Sequence, residues 1–471
     1  RRHAGPGNRA LRSRVTLATL GMMGLFMPTA FSAGSAGFKL PPYTSVTLDN
    51  GLRLYVVEDH ALPLVELEVI VGAGASNDPA GKEGVASMVA GLLRKGAGSR
   101  SAREIADAVD FVGGSLSAAA HQDATRLDAE FLSKDLNLAL ELLTDILCRP
   151  AFDQDEVDRI KSETLSELKG MKENPGLLAS RRFIELLYRG HPYGHPSSGW
   201  ESSVASITRD QIRAFYAAHY APDNSLLVAV GDFKTQEILE ALKKRLSGWK
   251  GSVPKSELPV PKPSAARAVY LADKPDATQS QIRIGGIGIR RSDPDYIPMQ
   301  VANTILGGGF TSRLVEEIRV NRGLSYGVSS RLYPFVKEGP FLMSAATKNA
   351  TTLETIKVAL EILGRFRSEG PTEKELDKAR KYIRGGFAIE HESPDALAES
   401  IGEIAFYGLP SDYYDTYLEK ISAVTIQDVK RVASTRMPFE NAIILVLGKA
   451  SEIKKDVDTL GSVNVIPLST D

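Results

Sequence analysis

Cysteine is nearly missing from this sequence: Cys148 is the only one in 471 residues. A lone thiol makes no internal disulfide, which excludes a cystine-stapled scaffold. Its setting, Leu142-Leu-Thr-Asp-Ile-Leu-Cys148, points to an inert buried thiol. Net charge is also nearly absent, at −1, but it is unevenly spread. Residues 1–36 hold Arg1, Arg2, Arg9, Arg12 and Arg14 and no acid, so the remainder sets 52 basic against 58 acidic side chains. A mildly acidic body has no electrostatic footprint for nucleic acid or for an anionic membrane. Long apolar runs are scarce too. One extends from Val15 to Phe31, interrupted by Pro28, and no other approaches the ~20 residues of a membrane span. What remains, 43% hydrophobic and 24% charged, is globular composition. The basic start, the apolar run and the small residues Ser32 to Ala36 together read as a secretory signal peptide over 1–36, and hence a bacterial periplasmic location. The competing reading of that segment is a short N-terminal membrane anchor.

The chain repeats itself. Asn224-Ser-Leu-Leu-Val-Ala-Val-Gly231 returns as Asn441-Ala-Ile-Ile-Leu-Val-Leu-Gly448, 217 residues later. Ile207-Thr-Arg-Asp-Gln-Ile212 and Val424-Thr-Ile-Gln-Asp-Val429 share that offset, and Glu156-Val-Asp158 matches Glu375-Leu-Asp377 at 219. A period this long means two similar domains and not a solenoid. Residues 250–265 (KGSVPKSELPVPKPSA) hold four prolines and form a stiff linker. The domains are therefore expected over 37–249 and 266–471.

In each half a Thr (Thr208, Thr425) opens a short helix that leads into an apolar strand, Leu226 to Val230 or Ile443 to Leu447. Helices are expected over Leu136–Leu147 and Asp155–Lys172, and strands over Val65–Val71 and Gln281–Ile289. Mixing without strict βαβ alternation argues α+β. The expectation is two homologous halves, each a mainly antiparallel sheet covered by helices, arranged as a clam shell around a chamber.

Leu48-Asp-Asn-Gly-Leu-Arg53, Gly84-Val-Ala86, the repeat, and Leu306-Gly-Gly-Gly-Phe-Thr-Ser-Arg-Leu314 follow one another in an order that resembles the M16 (pitrilysin/insulinase-like) metallopeptidases. The similarity is to the short two-domain type, M16B. In active members, Gly-Leu-Ala is followed by His-x-x-Glu-His: two imidazoles one turn apart hold Zn²⁺, and the Glu deprotonates its water. Here Ser87 stands at the first His, Ala90 at the Glu and Gly91 at the second His. The family's third ligand has a match in Glu167, but one carboxylate does not hold a catalytic zinc. The resemblance therefore implies a degenerate site, no metal in this chain, and zinc in a partner subunit with an intact motif. His191 and His195 offer no replacement, because the prolines after each make His191-Pro-Tyr-Gly-His-Pro196 a loop on Tyr193.

The second half of the family contributes an Arg and a Tyr seven residues apart, present here as Arg319 and Tyr326. Ser312 is expected to cap the helix that carries Arg319. Gly323 ends that helix in a left-handed turn, and a strand follows from Leu324. By resemblance, Tyr326 donates its hydroxyl to the oxyanion of the scissile carbonyl and Arg319 holds a substrate carbonyl. The competing reading pairs Arg319 with Glu316 and leaves Tyr326 to pack. Ser117, in the small-residue stretch Gly114 to Ala120, and Gly307, Gly308 and Gly309 are the expected substrate contacts, the former on an edge strand that augments extended peptides. Gly323-Leu-Ser-Tyr-Gly327 matches a nucleophile elbow, but its order is helix, turn, strand, so Ser325 is not a nucleophile.

The resulting expectation is a non-catalytic subunit of a periplasmic heteromeric zinc peptidase, acting on unfolded peptides in trans with a homologous subunit. The alternative is a peptide-binding or scaffold protein with no role in catalysis.

Overall fold

The computed structural model describes residues 38–254, 257–387 and 389–468; the expected leader, 1–36, lies outside them. Six strands fall in the first half: β1 (Thr44–Thr47), β2 (Arg53–Glu58), β3 (Leu64–Val71), β4 (Ser115–Ala120), β5 (Thr125–Leu132) and β6 (Ser225–Gly231). Six more follow: β7 (Ala268–Asp273), β8 (Gln279–Ile287), β9 (Ser325–Leu332), β10 (Pro340–Lys348), β11 (Ile443–Gly448) and β12 (Val463–Ile466). They form two sheets, ordered β1-β2-β6-β3-β5-β4 and β12-β7-β11-β8-β10-β9. From the second strand of each list to its last, the two orders are the same path through the chain. Each sheet is mixed: β2 runs parallel to β6, and β7 runs parallel to both β11 and β12, while the other pairings are antiparallel. This is the expected α+β architecture, and helices cover both sheets.

Local signals place the central strands. Thr208 and Thr425 each accept a hydrogen bond from the amide three residues on, and the residue at that position (Gln211, Asp428) reaches back to the Thr N–H. These capping boxes start helices Arg209–His219 and Ile426–Arg436, which run toward β6 and β11. Every residue of both strands is buried, so both faces of each are covered.

The covering is reciprocal. Leu227 and Ala229 of β6 join the core of their own half, whereas Leu226, Val228 and Val230 pack on Leu397, Ala398 and Ile401 of helix Pro394–Tyr407, which belongs to the other half. Ile444 and Val446 of β11 likewise face their own core, while Ile443, Leu445 and Leu447 meet Leu178, Ala179 and Phe183 of helix Pro175–Leu187. Pro175 and Pro394 each start their helix, at the same 219-residue offset as the Glu156/Glu375 pair. At about 1.5–3 kcal/mol per fully buried large apolar side chain, this exchange binds the halves strongly. The second face of each of these two strands is thus covered by a helix of the opposite half.

A polar junction reinforces it. Tyr193, fully buried in the loop expected from sequence, donates its hydroxyl to Asp123 (2.5 Å), which also accepts from the Val336 amide (2.8 Å). Tyr188 donates to the Glu338 carbonyl (2.9 Å). The linker, where described, has neither helix nor strand. Cys148 is partly covered, and burial pushes its thiol up to about 11, which keeps it protonated and unreactive at neutral pH. Among the described residues no helix is long and apolar enough to cross a membrane.

Candidate functional site

The helix Val85–Leu93 carries Ser87, Ala90 and Gly91, the three positions singled out in the sequence. The Asp78 carboxylate, buried, caps it by accepting from the amides of Gly84 (2.6 Å) and Ala86 (2.9 Å). Burial nevertheless pushes the Asp78 carboxyl up to about 7, against the pull of those two donors. Ser87 donates its hydroxyl to the Ser197 carbonyl (2.7 Å), Ala90 is buried, and Gly91 faces Ile160 of helix Gln154–Met171. Glu167 is two turns further along that helix and exposed. A hydroxyl already committed to a carbonyl, a methyl group and a hydrogen offer a zinc ion nothing, so the residues present do not fit the metal. Among the described residues, no three His, Cys, Asp or Glu side chains are grouped to hold one.

The second half is built differently. Helix turns widened to π geometry span Thr304–Gly308 and Val315–Asn321, and the second carries Arg319. The chain then turns at Gly323 (φ +61°), with the Leu324 amide donating to the Ile318 carbonyl (2.9 Å), and enters β9, the edge strand. Opposite the single residue Ala346 of β10, β9 places two residues, Tyr326 and Gly327. Such a bulge re-aims a side chain, and here it turns the Tyr326 ring outward, 87% exposed. Ser325 secures the bulge: buried, it donates to the carbonyls of Gly327 (2.8 Å) and Ala346 (2.7 Å). It therefore has a structural task and sits at a strand start, not at an elbow.

Arg319 reaches Tyr326. Its guanidinium carbon lies 4.9 Å from the Tyr326 ring centroid and 5.2 Å from that of Phe310. Each such contact is worth about 0.5–1 kcal/mol at an exposed site. Its neighbours are paired with acids: Arg313 holds Glu375 through two bonds (2.6 and 2.8 Å) and Arg322 holds Glu317 (2.7 Å). No such pair forms for Arg319 among the described residues, Glu316 included. Phe310, which sequence reasoning passed over, is the third member of the group. Its signal was a bulky aromatic directly after three glycines.

The glycines are structural supports for this group. A Cβ on Gly307 would lie 2.6 Å from both the amide nitrogen and the hydroxyl of Ser330, so the helix end packs directly on β9. Gly308 is as close to Asn303, whose side chain accepts from Ser330 (2.7 Å). Gly307→Ala is expected to push the helix off the strand and lower stability by about 1–3 kcal/mol, read as a lower urea midpoint at unchanged slope; an unchanged midpoint would refute this packing role. Ser312 is buried with an unpartnered hydroxyl, so the cap at this helix start is its carbonyl, which accepts from Glu316 (2.9 Å), and not its side chain. Ser117 is on β4, the edge strand of the other sheet, exposed and donating to Asp128 (3.2 Å). The structure thus gathers Arg319, Tyr326 and Gly307 to Gly309 around β9, and leaves Ser117, Ser87, Ala90, Gly91 and Glu167 with the first sheet.

Comparison with known proteins agrees with this division. Residues 54–199 match the family description "Insulinase (Peptidase family M16)" and residues 206–383 match "Peptidase M16 inactive domain". An uncharacterized zinc protease of Mycobacterium leprae is 30% identical over 396 residues, covering 82% of this chain and 87% of the relative. The structure of a peptidase M16 inactive domain from Pseudomonas fluorescens superposes with a TM-score of 0.82 at 29% identity, over 86% of this chain and 98% of that one. A protease from Helicobacter pylori gives 0.81 at 23% identity, over 87% and 100%, and shows the shared fold. From these matches, extending across both sheets, the chain belongs to peptidase family M16.

Proposed function

We propose that this chain is the non-catalytic subunit of a heteromeric, periplasmic M16B zinc peptidase, and that a homologous subunit with an intact His-x-x-Glu-His carries the metal. The observation behind this reading is an asymmetry. The first half has Ser87, Ala90 and Gly91 where ligands and base would stand, yet the second half keeps a half-buried Arg319 against an exposed Tyr326, with no acidic partner for Arg319 among the described residues. An outward tyrosine hydroxyl with no hydrogen bond among the described residues is free to donate to an oxyanion formed at a partner's site. Arg319 adds a fixed positive charge beside it and contacts the bound peptide. The edge strands β4 and β9 keep one row of backbone donors and acceptors free for an extended, unfolded peptide.

The purified chain alone, given zinc, is expected to bind no stoichiometric metal and to cleave no peptide. Zinc-dependent cleavage by the isolated chain would refute the proposal. A scaffold role with the same fold predicts instead that Arg319 and Tyr326 are dispensable in the assembled complex.

A further inference from the structure

We propose that Arg319, whose guanidinium lies over the rings of Phe310 and Tyr326, is a receptor for a peptide carboxylate, so that the peptides this chain binds are acidic at the position facing β9. Phe310 acts in it as a positioning residue. The inference deepens the proposed function, since it assumes that this face meets peptide.

Three observations carry it. The first is the missing counter-ion. Arg313 and Arg322, which flank the turn that carries Arg319, are held by Glu375 and Glu317, whereas the guanidinium of Arg319 has no carboxylate among the described residues. The second is the pair of ring contacts: centroids at 4.9 and 5.2 Å lie within cation–π range of one planar cation. These ring contacts leave the N–H groups along the guanidinium edge without an acceptor among the described residues. That edge is a rigid fork whose spacing matches the two oxygens of a carboxylate and engages a single carbonyl oxygen less fully. The third is exposure. Phe310 is 73% and Tyr326 87% exposed, and Val320 beside them 69%. Large aromatic surface left in water around an unpaired cation is what a binding face presents and what a packing site buries. The supporting construction, with Gly307 packed on Ser330 and Ser325 fastening the bulge, holds the helix end and the Tyr326 bulge in place and uses no atom of Arg319.

A peptide carboxylate comes from two sources, an Asp or Glu side chain or the free C-terminus. The test uses the full chain and fluorescence anisotropy with three labelled, extended peptides of one length: a neutral, C-amidated peptide; the same with one central Glu; and the neutral sequence with a free C-terminus. At least one carboxylate peptide is expected to bind about tenfold tighter than the neutral one at low salt, with the preference shrinking as salt rises. Which of the two gains identifies the source. Arg319→Gln should abolish the preference, Arg319→Lys should retain part of it, and Phe310→Leu should reduce it severalfold while the melting temperature stays put. Equal binding of all three peptides, no binding of any, or a preference that survives Arg319→Gln would overturn the proposal. The outcome is separable from the subunit reading: discrimination by the isolated chain, with no gain in cleavage when a zinc-bearing subunit is added, keeps the receptor and removes the catalytic role. Cleavage gain without discrimination does the reverse.

Discussion

Tyr326→Phe, in a mixture with a homologous subunit that carries the intact zinc motif, is expected to lower turnover about 100- to 1,000-fold relative to the unsubstituted chain. The substitution removes one oxygen from a ring that is 87% exposed. Since no hydrogen bond among the described residues uses that hydroxyl, neither folding nor assembly should notice its loss. The deficit belongs in kcat, because the bond to the oxyanion strengthens as charge develops, and KM should move little. Steady-state cleavage of a quenched fluorescent peptide measures both constants, and a melting curve verifies the fold. Activity within twofold of the unsubstituted mixture would leave the scaffold reading standing.

A second large effect is expected from pH. Beneath helix Pro394–Tyr407, the helix donated to the first sheet, β3 buries two glutamates, Glu66 and Glu68, at 3% and 2% exposure. The groups that face them are Arg126, Asp128 and Glu130 from β5 and Asp395 and Glu399 from the helix, acids in all but one case. Burial first, and these acids second, push Glu66 up to about 8 from an ordinary 4.5. Burial likewise raises Glu68 to about 7, with Arg126 pulling down, and one of its oxygens has no partner. A carboxyl whose pKa is higher folded than unfolded binds more protons in the folded state between the two values. Its contribution is therefore complete below about 4.5 and is lost as pH climbs through about 8. The chain should lose about 5 kcal/mol of stability over that window from Glu66 alone. Urea unfolding at pH 5, 7 and 9 checks the slope. Glu66→Gln, which keeps the shape and removes the charge, should flatten it and raise the midpoint at pH 9; an unchanged slope would contradict the assignment.

The same pair shows how far the sequence was readable. The register puts Glu68 opposite Val228 and Arg283 opposite Leu445, positions related by the 217-residue repeat. One half thus buries an acid where the other buries a base, which donates to the Gly176 carbonyl (2.7 Å) and Ser180 (3.0 Å) of the opposite half's helix. The repeat, the capped helices and the apolar strands were legible because each is written in residues close together along the chain. That β6 and β11 are covered on both faces also follows from their unbroken apolar runs. Which element does the covering does not, since helices Pro175–Leu187 and Pro394–Tyr407 lie next to their own half in sequence and pack on the other. The matched prolines at 175 and 394 were the trace of that exchange. At the site, Arg319 and Tyr326 were readable from spacing and flanks. The bulge that aims Tyr326 was not, because it exists only relative to Ala346 across the strand pair. Phe310 was missed for a similar reason: its partner lies nine residues away, across a loop and a helix.

The most direct test of the account titrates this chain into a fixed amount of the zinc-bearing homologous subunit and follows peptide cleavage. The account predicts little turnover without the chain, a rise that saturates at one chain per zinc-bearing subunit, and no comparable rise with the Arg319→Ala, Tyr326→Phe double variant. Full activity of the zinc-bearing subunit alone, or equal stimulation by the double variant, would contradict it.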